Sequence, residues 1–448
     1  MMSTCLTALI VLLSSLQLVV SKNADTPLLP LALPLRGGAT PNPSHPAPKD
    51  LDWSTFGFSL NNLKTPYMYL DQLSGSSSHA TFDGSGGGSG SLKSGWHNKN
   101  NPPKARTLIT KHKPLSLEPS STILNYGQGL FEGIKAFRRP SNEIVIFRPQ
   151  KNAERCRRGC ARILIPPIPD ATFVEACKEV VRYNAEYVPP TGKGALYLRP
   201  IVFGSAPKLG VAPSDEYTFC VWCSPVGNYF KTDSNATQTT LLSSVSPITL
   251  LVSRSYTRSC VGGVGGVKAV GNYAPVFKCQ SETKAQGFNE ALFVDAKEGQ
   301  WIEEAGASNF FIYIPHPNKP GGTLVTPPLN NGTILAGVTR DSILTLARAE
   351  LPDVTVEERP INLSELSSAS EAFCCGTGAS ITPVGDIHVP SVTEEGEETK
   401  FIFYNGDRKA GEVTEKLYKM LHDIMWGEDK RLEKKYADWI TVVPPLPK

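Results

Sequence analysis

The densest chemical signal in the chain is Val261-Gly-Gly-Val-Gly-Gly-Val-Lys-Ala-Val-Gly-Asn-Tyr273. A dinucleotide fingerprint begun at Gly263 needs a third glycine where Lys268 stands. A P-loop needs Gly-Lys-Ser/Thr, whereas Val267 precedes Lys268 and Ala269 follows it. Both motifs fail. What remains is a lysine flanked by glycine and apolar residues, with no acidic residue within ten positions and Tyr273 five residues on. Desolvation lowers a lysine's pKa and makes it a candidate amine nucleophile. A surface lysine snorkelling beside a flexible loop fits the same run.

Glu304-Ala-Gly-Ala-Ser-Asn309 follows a strand-like run, and Leu335-Ala-Gly337-Val338-Thr339-Arg340 opens a helix. A Gly-Val-Thr turn entering a helix offers backbone N–H groups to a phosphate, as does Gly376-Thr377-Gly378-Ala379. Two such turns, a lysine and a separate carboxylate point to a phosphorylated cofactor that takes a Schiff base, pyridoxal 5'-phosphate. Ala195 to Phe203 reads as a strand with Tyr197 and Arg199 on one face and Leu196 and Leu198 on the other. That polar face fits a ligand cavity or a solvated strand surface. Cys220 and Cys223 lie in another strand-like run, where residues three apart point to opposite faces, so they read as two strand cysteines and not as a metal or redox pair.

The elements that position these residues are mixed. Past Lys104 short β-rich runs alternate with helical ones, so the fold class is α/β, in an α+β two-domain arrangement. At roughly 150 residues per domain, 448 residues allow two or three domains. We expect a small N-terminal α/β domain at 51–225, with a Ser/Gly insertion at 74–95, then an interdomain linker at 226–238 and a large C-terminal α/β domain at 239–448. A last helix carrying Val413, Leu417, Leu421 and Ile424 should pack on the second domain. Forty-five basic against forty-two acidic residues leave +3, too little for nucleic-acid binding by composition. After the N-terminus no apolar run approaches the roughly 20 residues of a spanning helix, so the mature form should have no membrane segment.

Residues 1–21 carry no charge and end at Val-Val-Ser before Lys22, which reads as a signal-like leader of secretory type; 22–50 is a Pro-rich linker. An Arg-rich mitochondrial presequence is disfavoured. Ten cysteines, nine of them beyond the leader, fit a reducing compartment better than a disulfide framework.

From about Leu51 to the C-terminus the chain resembles the fold-type IV (class IV) pyridoxal-phosphate aminotransferases, most closely the branched-chain amino acid aminotransferases. The likeness is carried by Tyr126-Gly-Gln-Gly-Leu-Phe131-Glu-Gly-Ile-Lys-Ala-Phe137, Asn152-Ala-Glu-Arg155, Leu196-Tyr-Leu-Arg-Pro200, Gly265-Gly-Val-Lys268 with Gly271-Asn-Tyr273, and the block from Glu304 to Arg340. The resemblance implies a cofactor in the cleft between two domains. It implies reversible transamination of leucine, isoleucine and valine with 2-oxoglutarate, giving branched-chain 2-oxo acids and glutamate, in a homodimer. Lys268 would be the covalent anchor and the proton shuttle. Glu304 would hold the pyridine nitrogen, and Tyr273 would bond the phenolic oxygen. Arg155, the N–H groups of Val338 and Thr339, and Thr377 would bind the phosphate. Tyr126, Phe131 and Tyr197 would wall the side-chain pocket, while Arg199, Tyr197, Thr377 and Gly378 would manage carboxylates.

This sequence departs from the family in places. Ala379 and Thr382 stand where some animal members carry a sulfhydryl pair, so redox control of that kind is not expected, and Ala307 leaves only backbone as a carboxylate donor at its position. The pattern looks most like the plant and algal branch. A D-amino acid aminotransferase or an aminodeoxychorismate-lyase-type enzyme would share Lys268 and Glu304. From a different class, the leader and the sequons at Asn235, Asn331 and Asn362 would fit a secreted binding glycoprotein. A glycan at Asn331 would crowd the phosphate turn, so the expected destination is a plastid reached through the secretory-type leader, with the secretory pathway or a mitochondrion as alternatives.

Overall fold

The computed structural model describes residues 51–60, 63–73, 108–227, 247–391, 397–404 and 410–446. The leader, the Pro-rich segment, the Ser/Gly insertion and, from residue 228 on, the expected linker lie outside the described residues. Alternating apolar runs in the first half form β1 (Tyr67–Leu73), β2 (Ile109–Lys111), β3 (Gly129–Phe131), β4 (Ile134–Arg138), β5 (Ile144–Phe147), β6 (Ala195–Gly204) and β7 (Tyr217–Val226). Helices α1 (Thr122–Tyr126), α2 (Pro149–Arg162) and α3 (Asp170–Tyr183) accompany them. The strand read at Ala195 to Phe203 is β6, antiparallel to β7 from Ala195↔Val226 to Gly204↔Tyr217. On α3, Phe173, Cys177, Val180 and Val181 are buried, and this apolar stripe meets Tyr67, Leu196, Leu198 and Phe219 in the first core.

The second half supplies β8 (Ile248–Ser253), α4 (Val276–Ala285), β9 (Glu290–Val294), β10 (Trp301–Ala305), β11 (Asn309–Pro315), β12 (Gly322–Thr326) and α5 (Val338–Glu350). It continues with β13 (Val354–Glu358), β14 (Ile361–Asn362), β15 (Glu371–Gly376), β16 (Ser380–Val389), β17 (Thr399–Ile402), α6 (Glu412–Trp426), α7 (Lys430–Lys435) and β18 (Ile440–Val443). The sheet order β13-β12-β11-β15-β16-β8-β9-β10-β14 is drawn back on itself, because β10 also pairs with β11 at Glu304↔Asn309. That pairing closes β11-β15-β16-β8-β9-β10 into a ring and fixes Glu304 at its seam.

Helix α6 buries Val413, Leu417, Leu421 and Ile424 against Phe311, Leu324 and Phe373 of the second sheet, and the same core includes Phe137, Val145 and Phe147 of the first. Helix α6, expected from sequence as the last helix and packed on the second half alone, is followed by α7 and bridges both sheets. Strand β18 then pairs with β5, so the end of the chain returns to the first sheet, whose order is β18-β5-β4-β6-β7-β1-β2 with β3 on β6. Among the described residues no helix is long and apolar enough to cross a membrane. Cys220 and Cys223 are buried unpaired thiols on β7.

Candidate active site

A cavity of about 560 Å³ opens between the two sheets, and Lys268 lines it. Three of the glycines before Lys268, Gly263, Gly265 and Gly266, lie where other backbone approaches closely, while Gly271 faces open space. A Cβ on Gly265 would strike the Ser259 side chain and the Thr333 carbonyl oxygen. Gly266 N–H donates to Gly332 O at 2.7 Å, and Asn272 Nδ2 donates to the carbonyls of Val264 and Val267 at 2.9 and 2.8 Å. Phe131 N–H donates to Lys268 O at 3.1 Å, which ties the lysine loop to β3 of the first sheet. With the backbone held from both sides, Lys268 Nζ donates to Tyr273 Oη at 3.0 Å. Burial, aided by the cations Arg155 and Arg199, lowers the Lys268 pKa to about 7. The amine therefore lies inside the cavity, partly uncharged near neutral pH, and not as a snorkelling surface charge. Burial raises the Tyr273 hydroxyl well above its ordinary range, so it stays protonated.

Glu304 is 3% exposed and all its contacts are donors. Leu335 N–H donates to Oε1 and Asn309 Nδ2 to Oε2, each at 3.0 Å, and Arg258 pairs with Oε1. Burial raises the Glu304 pKa while Arg258 and the Leu335 N–H oppose it. Arg258 also donates to the carbonyls of Gly265, at 3.1 Å, and Thr333, at 2.5 Å, so one guanidinium joins the carboxylate to the lysine loop. Glu290 lines the same cavity, and burial pushes its carboxyl up to about 7. Between its ordinary 4.5 and about 7 the folded chain keeps a proton that the unfolded chain has released, so this group lowers stability as pH rises through that window. Glu290→Gln should therefore stabilise the protein by up to about 3 kcal/mol above the window, seen as a higher melting temperature, and change it little below. Thermal melts at both ends of the window check this; a pH-independent difference would contradict it.

Arg155, on α2, is 7% exposed and forks onto Glu132, with Nε to Oε1 at 2.9 Å and Nη2 to Oε2 at 2.5 Å, while Nη1 donates to Ala336 O at 3.0 Å. These bonds use three of its five N–H donors, and Arg155 is among the residues that line the cavity. Asn152 Nδ2 also donates to Glu132, at 2.8 Å. Helix α5 begins at Val338 as the turn predicted, and no side chain caps it, so its first N–H groups face the cavity that Val338 and Thr339 line. Thr377 and Gly378 line it from the β15–β16 turn. Lys135 Nζ donates to Gly378 O at 2.7 Å and braces that turn.

The apolar end of the cavity holds Phe131, Tyr197 and Arg199, as expected, together with Phe58 and Trp222. Arg199 stacks over Phe131 and Tyr197 with centroid distances of 4.7 and 5.3 Å, and its Nε has no hydrogen-bond partner. Tyr126 stands apart from these residues. It ends α1 just before Gly127, whose φ of 65° turns the chain. Its ring is 39% exposed, its hydroxyl donates to Leu209 O, and it does not line this cavity. Sequence reasoning missed Glu132, Arg258, Asn309, Phe58 and Trp222. Only Glu132, inside the Phe-Glu-Gly run, and Asn309, five residues after Glu304, carried a local signal.

Comparison with known proteins bears on this constellation. Residues 129–387 match the family model for amino-transferase class IV. An Arabidopsis thaliana protein named branched-chain-amino-acid aminotransferase 3, chloroplastic, is 37% identical over 84% of this chain and 78% of its own. Another from that plant, named branched-chain-amino-acid aminotransferase 1, mitochondrial, is 37% identical over 87% of this chain and 86% of its own. The crystal structure of a branched-chain aminotransferase from Thermoproteus uzoniensis with norvaline superposes with a TM-score of 0.60 at 27% identity, covering 75% of this chain and 97% of that one. The match over residues 129–387 and the relatives at 37% identity, read with the lysine and the seam carboxylate that share one cavity, show that the chain belongs to the class IV aminotransferases, among the branched-chain amino acid aminotransferases.

Proposed function

We propose that this chain uses pyridoxal 5'-phosphate to transfer the amino group of leucine, isoleucine or valine to 2-oxoglutarate, reversibly, with 51–225 and 239–448 as the two walls of the cleft. The observation that carries this reading is Lys268, at a pKa of about 7, sharing one cavity with Glu304 and the N-terminus of α5. The donor set fits that cofactor. Two free N–H groups of Arg155, the first turn of α5 and the hydroxyls of Thr339 and Thr377 suit a phosphate; Tyr273 suits a phenolic oxygen and Glu304 a ring nitrogen. When bound, the cofactor supplies a carbonyl carbon for the amine and a ring that accepts the electron pair left at the substrate Cα. Lys268 takes up and returns the Cα proton, which a pKa near 7 permits in both directions. Phe58, Phe131, Tyr197 and Trp222 exclude water from an aliphatic side chain. A yellow protein that turns over leucine with 2-oxoglutarate is the expected result; a colourless and inactive one would overturn the reading.

Arg199, with an unpartnered Nε, is assigned to the carboxylate of the glutamate side chain. Arg199→Ala should weaken the glutamate half-reaction at least about tenfold more than the leucine one, because leucine brings no second carboxylate. Equal losses in single-turnover measurements would make Arg199 a structural arginine.

Leu209 and Val211, 92% and 89% exposed, stand beside Tyr126 as an apolar patch that supports the expected homodimer, which a sedimentation mass of twice the chain would verify. Relatives named chloroplastic and mitochondrial support an organellar destination, and the uncharged leader favours a plastid. A fluorescent fusion of residues 1–60 should label plastids in the source cell; secreted or mitochondrial reporter would refute this.

A further inference from the structure

Strand β10 faces two cavities. Glu304 lines the active-site cavity, and its neighbour Glu303, by strand alternation, lines a second one of about 530 Å³. Trp301, Pro327, Pro328 and Ile334 give this second cavity apolar walls, and Lys297 belongs to its lining. Glu303 is 7% exposed, yet its Oε2 has no hydrogen-bond partner, a condition that buried polar atoms rarely keep. Burial raises the Glu303 pKa, opposed by the Thr333 hydroxyl and by Arg258.

The nearby Asp295 is not available, because its two oxygens accept the backbone N–H groups of Lys297, Glu298, Gln300 and Trp301. A ligand here must therefore bring a donor to Glu303 and an apolar body to the tryptophan and proline walls. The Lys297 side chain is 89% exposed and paired only at 3.6 Å with Glu298, so it can close on a carboxylate at the mouth. We propose that this cavity is a second binding site, for a zwitterionic α-amino acid with an apolar side chain, its ammonium on Glu303 and its carboxylate at Lys297. Arg258 touches the Thr333 carbonyl beside this cavity and Glu304 in the other, so the site abuts the catalytic machinery.

The choice of leucine as probe rests on the transamination reading. The test is equilibrium dialysis of radiolabelled leucine against holoenzyme reduced with borohydride, which blocks Lys268 chemistry. Saturable uptake is expected, weakened at least about tenfold by Glu303→Gln and, independently, by Trp301→Ala at the rim. Lys297→Ala should weaken leucine but leave isoamylamine, which has no carboxylate, unchanged. No uptake, or uptake unaffected by both Glu303→Gln and Trp301→Ala, would overturn the second site. Failure of the transamination reading would show separately, as absent turnover of leucine by the unreduced protein.

Discussion

Replacing Lys268 with alanine should lower turnover of leucine with 2-oxoglutarate by at least about 10³-fold, because the proposed function asks one amine to supply both the nucleophile and the proton carrier. The size of the loss follows from the site. An ordinary lysine of pKa 10.5 is uncharged in roughly one molecule in three thousand at neutral pH, whereas at a pKa of about 7 half the population is. Burial and the two facing arginines create that difference, so no other lysine brought in by diffusion replaces it. Stability should change little or rise, since the variant removes a desolvated cation whose Nζ contact is Tyr273 Oη. A rival exists in Lys135, whose pKa burial lowers to about 8, but its Nζ is spent on the Gly378 carbonyl. Borohydride reduction and peptide mapping distinguish the two: cofactor fixed on Lys268 is expected, and cofactor fixed on Lys135, Lys278 or Lys284 would end the assignment. Unchanged turnover in Lys268→Ala would do the same.

What the sequence disclosed depended on whether a chemical requirement was local. Lys268 was legible because close backbone approach demands glycine at Gly265 and Gly266 just before it, and Thr339 because a Gly-Val-Thr turn immediately opens its helix. Strand β6 showed its two faces by alternation, with Leu196 and Leu198 buried against the core and Tyr197 and Arg199 opposite, but only the fold makes that polar face a cavity wall. The partners of these groups were hidden by separation along the chain. Arg155 and its clamp Glu132 lie 23 residues apart, and Arg258 reaches Glu304 only because the strand ring closes at Glu304↔Asn309. Neither pair leaves a periodic trace. Tyr126 parts from its motif neighbour Phe131, which lines the cavity: the chain turns at the left-handed Gly127 between them, and the tyrosine lies at the surface of this chain. Return of β18 to the first sheet was equally invisible, because a four-residue strand carries no information about its partner.

Glu304→Gln should reduce turnover by about 10² to 10⁴-fold while leaving a variant that still binds cofactor, since Lys268, Arg155 and the α5 N-terminus, which would hold it, are untouched. The geometry also predicts a stability loss with a specific cure. Both Glu304 oxygens only accept, from Leu335 N–H on one side and Asn309 Nδ2 on the other. An amide must turn its own NH₂ toward one of these donors. Asn309 cannot flip to receive it without surrendering its 2.9 Å bond to the Leu335 carbonyl. One donor is therefore left unpaired, at about 1–3 kcal/mol, and Arg258 loses the carboxylate that balances its buried charge, at about 3–5 kcal/mol. Adding Arg258→Met to Glu304→Gln removes the stranded cation, so the double variant should melt higher than Glu304→Gln alone. Turnover should not recover with it, because a neutral amide cannot hold a ring nitrogen in its protonated state. If stability and turnover return together, Glu304 serves only to support the seam of the strand ring; if Glu304→Gln alone retains near wild-type turnover, its chemical assignment is wrong.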